Sequence, residues 1–366
     1  MKDFTLRNDT KLLFRNEPVQ ALAELINGRK ALFVFGGGSV KKNGCYYDVE
    51  KAVNIGNGKF FEFANASREL ADIEHGIQIV KENKIELIIG AGGASIMDCA
   101  KLIAFGIYNE SDLWDYIKGR KNPYGLEKLP LILMPTYPSS GSEYGLGAVS
   151  ADSRINDFGT AYGIPADTAI LTPKYSMSLD KKMTAYTGLV TLVQLSASTI
   201  GDKNPVSYDI GISVIRNVLN TVKTLRTDPE NADARGVILY GASISTSGRL
   251  GLGKTENYPY EIYELEFIPE TFFGSTYRKS LTTLFPHFLE AMSKYHNDDI
   301  CKYFRDAFGF FGDVSESVQK MIALFEDIGV NMYFDGKFVP DDISKIPIET
   351  TLTDDEIIGI IKACMK

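Results

Sequence analysis

Twice within its first hundred residues this chain runs an apolar, strand-like segment into glycines and then into a helical pattern. The first instance is Ala31-Leu32-Phe33-Val34-Phe35 followed by Gly36-Gly37-Gly38-Ser39, and the second is Leu87-Ile88-Ile89 followed by Gly90-Ala91-Gly92-Gly93-Ala94-Ser95. Glycine lets the backbone approach an anion closely, and the unpaired N–H groups at the start of the following helix point at its charge. A chain with two such turns is built to hold a nucleotide, and alternating strand and helix patterns around them call for a doubly wound sheet.

That alternation can be followed to about residue 180. Ser67–Asn83 places Leu70, Ile73, Ile77 and Val80 at three- and four-residue spacing, which predicts an amphipathic helix leading into a strand at Glu86–Ile89. Ile96–Ile107 reads as the next helix, Leu129–Met134 as a third buried strand ending at Pro135-Thr136, and Thr168–Leu171 as a late strand closed by Thr172-Pro173. Helical periods dominate thereafter, over Val206–Leu225, Asn231–Ser247, Leu281–Tyr295, Ile300–Phe308, Val314–Ile328 and Asp354–Cys364. The expected architecture is an α/β dinucleotide-binding domain with a mostly parallel sheet over 1–179, and an all-α domain over 180–366.

Composition narrows the partners. The net charge of −8 comes without a lysine or arginine run longer than a pair, which argues against nucleic acid and anionic membrane. No apolar stretch reaches the roughly 18 residues of a membrane span, and Met1-Lys2-Asp3-Phe4 has no signal-peptide pattern, so a cytoplasmic protein is expected. The four cysteines, Cys45, Cys99, Cys301 and Cys364, form no Cys-x-x-Cys pair, which argues against a zinc knuckle or a disulfide framework.

Three segments together carry a resemblance: Phe35-Gly36-Gly37-Gly38-Ser39-Val40-Lys41-Lys42, then Gly92-Gly93-Ala94-Ser95-Ile96-Met97-Asp98-Cys99-Ala100-Lys101, then Pro138-Ser139-Ser140-Gly141-Ser142-Glu143, with Trp114 between the second and third. In this order and spacing they resemble the iron-containing (group III) alcohol dehydrogenase family, within it the branch of NADPH-dependent aldehyde reductases and butanol dehydrogenases. The resemblance extends to about residue 295. It implies a dehydroquinate synthase-like fold with its active site in a cleft, a small alcohol or aldehyde as substrate, and a homodimer or larger assembly, in which a strand at Phe4–Leu6 would pair across the interface. By the same resemblance Gly36, Gly37, Gly38, Ser39 and Lys42 lie near the adenosine ribose. Gly92, Gly93 and Ser95 face the pyrophosphate, and Asp98 and Lys101 lie toward the nicotinamide. Thr136, Tyr137 and Ser140 line the adenine and ribose, and Asn65 lies beside the cofactor. Serine at position 39, where NAD-preferring members carry an acid, with Lys41 and Lys42 nearby, favours NADP(H) over NAD(H). Ala94 stands where the family usually has a third glycine, Asn156 where many members have lysine, and Thr172-Pro173 where Asp-Pro is usual.

The sharpest departure concerns the metal. Family members hold iron or zinc with one aspartate and three histidines, and the metal polarises the substrate oxygen. Carried onto this chain, those positions become Val190, Gln194, Glu261 and Tyr277. Without a two-residue insertion Tyr263 replaces Glu261. Valine cannot bind a metal, and glutamine is a weak neutral donor. His75, His287 and His296, the only histidines, have no second histidine at i+3 or i+4. Bound iron or zinc is therefore not expected. Two readings stay open: an NAD(P)-dependent oxidoreductase using Tyr277 or Tyr263 to polarise a carbonyl and Glu261 to relay protons, or a non-catalytic nucleotide-binding protein descended from the dehydrogenase fold.

Overall fold

The computed structural model describes residues 3–336, 338, 343, 346 and 348–366. Eight strands fall in the first half: β1 (Lys11–Phe14), β2 (Lys30–Phe35), β3 (Lys59–Phe63), β4 (Leu87–Gly92), β5 (Leu131–Pro135), β6 (Gly147–Asp152), β7 (Asp157–Tyr162) and β8 (Thr168–Leu171). Six form one parallel sheet in the order β1-β8-β5-β4-β2-β3, and β6 and β7 pair as an antiparallel hairpin. The central strands are apolar along their whole length because both sheet faces are covered. Leu32, Val34, Ile88, Leu131 and Leu133 belong to one core. Their sequence neighbours Ala31, Phe33, Leu87, Ile89 and Ile132 belong to another, on the opposite face.

The strands predicted at Ala31–Phe35 and Thr168–Leu171 are present, the first longer by Lys30, the second with the same bounds. The strand read at Glu86–Ile89 runs on through Gly90 to Gly92, so the second glycine cluster begins inside the sheet. A β-carbon on Gly90 would come within 2.6 Å of the Ala100 methyl and 2.9 Å of Leu133, so its glycine serves close packing of the Ala94–Asn109 helix on the sheet. Phe4–Leu6 is not a strand. The first strand is β1, at the sheet edge.

The chain separates into two compact units, one of Arg7–Leu179, the other of Asp180–Lys366 with the residues up to Leu6. The second unit is helical. Its Lys181–Thr199 helix, started by the Asp180 carboxylate accepting the Met183 N–H at 2.7 Å, is buried from Thr184 onward. A helix covered on all sides has no apolar stripe, which is why periodicity did not reveal it. The helices read separately at Leu281–Tyr295 and Ile300–Phe308 belong to one long element, Tyr277–Tyr303, interrupted by non-helical His296 (φ −133°, ψ 38°) and followed by a π-helical turn at Phe304–Phe308.

Candidate functional site

Register brings the glycine turns together. Phe35 pairs with Ala91, and Gly92 with Pro135, so β2, β4 and β5 end side by side at their carboxyl ends. From β2 the chain crosses to β3 on one side, and from β4 to β5 on the other. β2 and β4 therefore flank the point where strand order reverses, the place at which open α/β sheets bind ligands.

Gly36–Ser39 leaves one side of this crevice, with Gly37, Gly38 and Ser39 exposed and no atom within 4 Å of a β-carbon built on Gly37 or Gly38. Lys42, also exposed, ends the short helical turn Ser39–Lys42. Asn65, in a left-handed conformation (φ 57°), donates its backbone N–H to the Gly36 carbonyl at 3.1 Å, and Ala66 does the same to Phe35. Gly92 and Gly93 form the other side. Gly93 precedes the Ala94–Asn109 helix without any side-chain cap, and Ser95 is exposed in its first turn. Thr136 ties the β5 loop to this turn by donating its N–H to Gly92 at 3.1 Å. Tyr137 lies directly over Gly93, its hydroxyl 2.1 Å from where a β-carbon would sit. Ser140 accepts the Ser142 N–H at 3.2 Å. The sheet edge thus gathers Gly36–Ser39, Asn65, Gly92, Gly93, Ser95, Thr136, Tyr137 and Ser140.

Asp98 and Lys101 sit below this edge, 5% and 0% exposed. Lys101 Nζ donates to the Ser142 hydroxyl (3.1 Å) and to the carbonyls of Gly145 (2.9 Å) and Gly147 (2.7 Å). Those three bonds use all three ammonium hydrogens. Asp98 accepts from the Ser142 hydroxyl at 2.5 Å and the Val149 N–H at 3.2 Å. Burial pushes Lys101 down to about 8 and Asp98 above the usual carboxylate range, in each case against the attraction of the other. The pair holds the Ser140–Gly147 segment and the hairpin onto the helix that starts at the second glycine turn. Ser142, Gly145 and Gly147 were not legible as its partners, since they lie more than forty residues away in sequence.

In the helical unit, the Lys181–Thr199 and Tyr277–Tyr303 helices pack on one another. There Gln194, 4% exposed, donates Nε2 to the Tyr277 hydroxyl at 3.0 Å. Val190 is fully buried in the apolar core. Glu261 is engaged elsewhere: its carboxylate accepts the Thr350 hydroxyl at 2.6 Å, the Thr351 N–H at 2.8 Å and the Thr351 hydroxyl at 3.0 Å. Tyr263 packs at the core edge with its ring 6.3 Å from that of Tyr260. Of the histidines, His75 meets the Phe63 ring edge-on, His296 stacks on Tyr258 at 3.7 Å, and His287 is half-buried with Nδ1 3.9 Å from the Glu290 carboxylate, partial burial lowering its pKa. Among the described residues no three His, Cys, Asp or Glu side chains converge.

A parallel doubly wound sheet with a glycine-lined reversal point, joined in one chain to a helical unit, defines the class of fold. The profile described as "Iron-containing alcohol dehydrogenase" matches residues 9–173. The chain is 28% identical over 299 residues to the probable NADH-dependent butanol dehydrogenase 1 of Bacillus subtilis, covering 79% of this chain and 76% of that protein. It is 25% identical over 360 residues to NADH-dependent butanol dehydrogenase A of Clostridium acetobutylicum, covering 95% and 90%. With the NADPH-dependent aldehyde reductase YqhD of Escherichia coli it shares 28% over 270 residues, covering 70% and 68%. The crystal structure of NADH-dependent butanol dehydrogenase A from Thermotoga maritima superposes with a TM-score of 0.89 at 21% identity, covering 100% of this chain and 99% of that one. Residues 9–173 thus match the iron-containing alcohol dehydrogenase family, and the whole chain shares the fold of the Thermotoga maritima structure.

Proposed function

We propose that the protein is an NAD(P)-dependent oxidoreductase interconverting a small alcohol and its aldehyde, with NADP(H) preferred and without the family's metal. The observation carrying this reading is the meeting of Gly36–Ser39 and Gly93–Ser95 at the carboxyl ends of adjacent β2 and β4. Open backbone at Gly37 and Gly38 suits the close approach of the adenosine ribose, and the uncapped start of the Ala94–Asn109 helix suits a pyrophosphate. Ser39 and exposed Lys42 place no carboxylate against a 2′-phosphate. A bound reduced nicotinamide supplies a hydride. The relatives named above for their use of NADH or NADPH on butanol or aldehydes support the substrate class.

The donor set does not fit iron or zinc. A buried valine offers no lone pair, the Gln194 amide is neutral, and the Glu261 carboxylate is held by Thr350 and Thr351. Tight metal binding needs charged or basic ligands gathered at about 2.0–2.2 Å. Of the three residues proposed for acid–base work, Glu261, Tyr263 and Tyr277, this leaves Tyr277 the best placed, because it meets the buried amide of Gln194.

The test is turnover of NADPH and of NADH against a panel of short aldehydes, with chelator, with added iron or zinc, and with neither. Turnover faster with NADPH and indifferent to chelator is expected. Stimulation by metal would overturn the metal-free reading. Nucleotide binding with no turnover on any carbonyl would replace it by the non-catalytic one.

A further inference from the structure

Once Gln194 Nε2 is given to Tyr277, the other end of the amide, Oε1, is buried with no hydrogen-bond partner. Turning the amide over would exchange which end is orphaned and leave the count unchanged. Buried polar groups in folded proteins are nearly always paired, so an exception calls for a reason. The setting supplies one. Among the described residues, Ser280 Oγ and Thr282 Oγ1, within two turns of Tyr277 on the same helix, are orphaned as well. Helical hydroxyls usually bond the carbonyl one turn back, as Thr191 does to Thr187 at 2.9 Å and Ser196 to Leu192 at 2.7 Å. Ser280 and Thr282 do not.

The orphaned end belongs to a neutral pair, an amide beside a phenol. Such a pair matches a neutral oxygen compound better than a carboxylate or phosphate, whose charge would be desolvated without a counter-ion. An amide also has both polarities, since its oxygen accepts from an alcohol O–H and its N–H₂, turned over, donates to a carbonyl.

We infer that the Gln194 amide, backed by Tyr277, is the group that hydrogen-bonds the reacting oxygen of an uncharged alcohol or aldehyde. This rests on the oxidoreductase reading above and adds to it what takes the place of a metal ion at the substrate oxygen. Gln194 recognises and orients that oxygen, and Tyr277 fixes the amide while keeping the acid–base role proposed above.

The experiment measures binding, independent of turnover. Isobutyramide, an unreactive carbonyl analogue, and isobutyrate, its charged counterpart, are titrated into the full-length protein by ligand-observed NMR. Wild type, Gln194→Met and Tyr277→Phe are compared, with melting temperature and NADPH affinity recorded for each. The expected result is that wild type binds the amide and not the carboxylate, that Gln194→Met loses at least tenfold in amide affinity with unchanged NADPH affinity and an equal or higher melting temperature, and that Tyr277→Phe loses less. Equal binding of amide and carboxylate, no binding of the amide by wild type, or undiminished binding by Gln194→Met would each overturn the inference. Should Gln194→Met fail to fold, undiminished binding by Tyr277→Phe does so instead. Any of these results alongside intact aldehyde reduction leaves the oxidoreductase reading standing, whereas absence of nicotinamide binding by wild type removes that reading itself.

Discussion

The hydroxyl of Tyr137 rests over the α-carbon of Gly93, so close that a β-carbon there would lie 2.1 Å from it. The ring therefore packs on the start of the Ala94–Asn109 helix, where the backbone is uncapped, and glycine at 93 is required by that approach. Its backbone is extended (φ −84°, ψ −173°), a conformation open to any residue. Gly93→Ala is expected to displace Tyr137 and weaken NADPH binding about tenfold, or about 1.4 kcal/mol. Adding Tyr137→Ala to it should restore part of the loss. Fluorescence titration of the two variants checks both statements.

Lys101 and Asp98 are two buried, mutually attracting charges linked through the Ser142 hydroxyl, their other bonds going to Gly145, Gly147 and Val149. Removing one member strands the other. Lys101→Met is expected to destabilise the protein by about 3 kcal/mol or more, because Asp98 is left as an unpaired buried acid. The double variant Asp98→Asn with Lys101→Met should recover part of this. Urea unfolding at pH 7 of the single and double variants measures the difference, and equal stability of Lys101→Met and wild type would contradict the pairing.

Lys254 lies in the helical unit with its ammonium donating to the Ala197 carbonyl at 2.6 Å and 4.5 Å from the Tyr260 ring centre. Burial lowers its pKa from 10.5 to about 7, with Asp202 and Asp299 opposing. Between those two values the unfolded chain holds a proton on this group that the folded protein has released. Stability gains from the group as pH rises, since the desolvated charge is the disfavoured form. Whatever the offset at neutral pH, the stability of wild type relative to Lys254→Met should increase from pH 7 toward pH 10. Melting temperatures of both proteins across that range provide the check, and a constant gap would mean that the lysine is not depressed.

The parts of this molecule legible without coordinates are those with a local physical signature. The central strands could be read because burial on both faces makes them continuous apolar runs, as in Ala31–Phe35 and in Leu129–Met134, whose strand runs from Leu131 to Pro135. The Leu70–Asn83 helix could be read because one face is buried and the other exposed. The hairpin of β6 and β7 was not, since its inward positions include the small residues Ala148, Ser150 and Ala161, which give little hydrophobic contrast. The glycine-lined edge of the sheet was read from its glycines, but not the reason for each. Gly90 serves packing inside the sheet, while Gly37 and Gly38 border open space.

The amino-acid sequence by itself determined the doubly wound half and the glycine turns, because strand burial and turn chemistry are local properties. Tertiary structure alone decided what the side chains touch. It brought Lys101 to Gly145 and Gly147, set Glu261 against Thr350 and Thr351, and joined Gln194 to Tyr277 across 83 positions of chain. Each of these pairings depends on how helices and loops distant in sequence pack together, and side-chain hydrogen bonds between such segments leave no periodic trace in the chain.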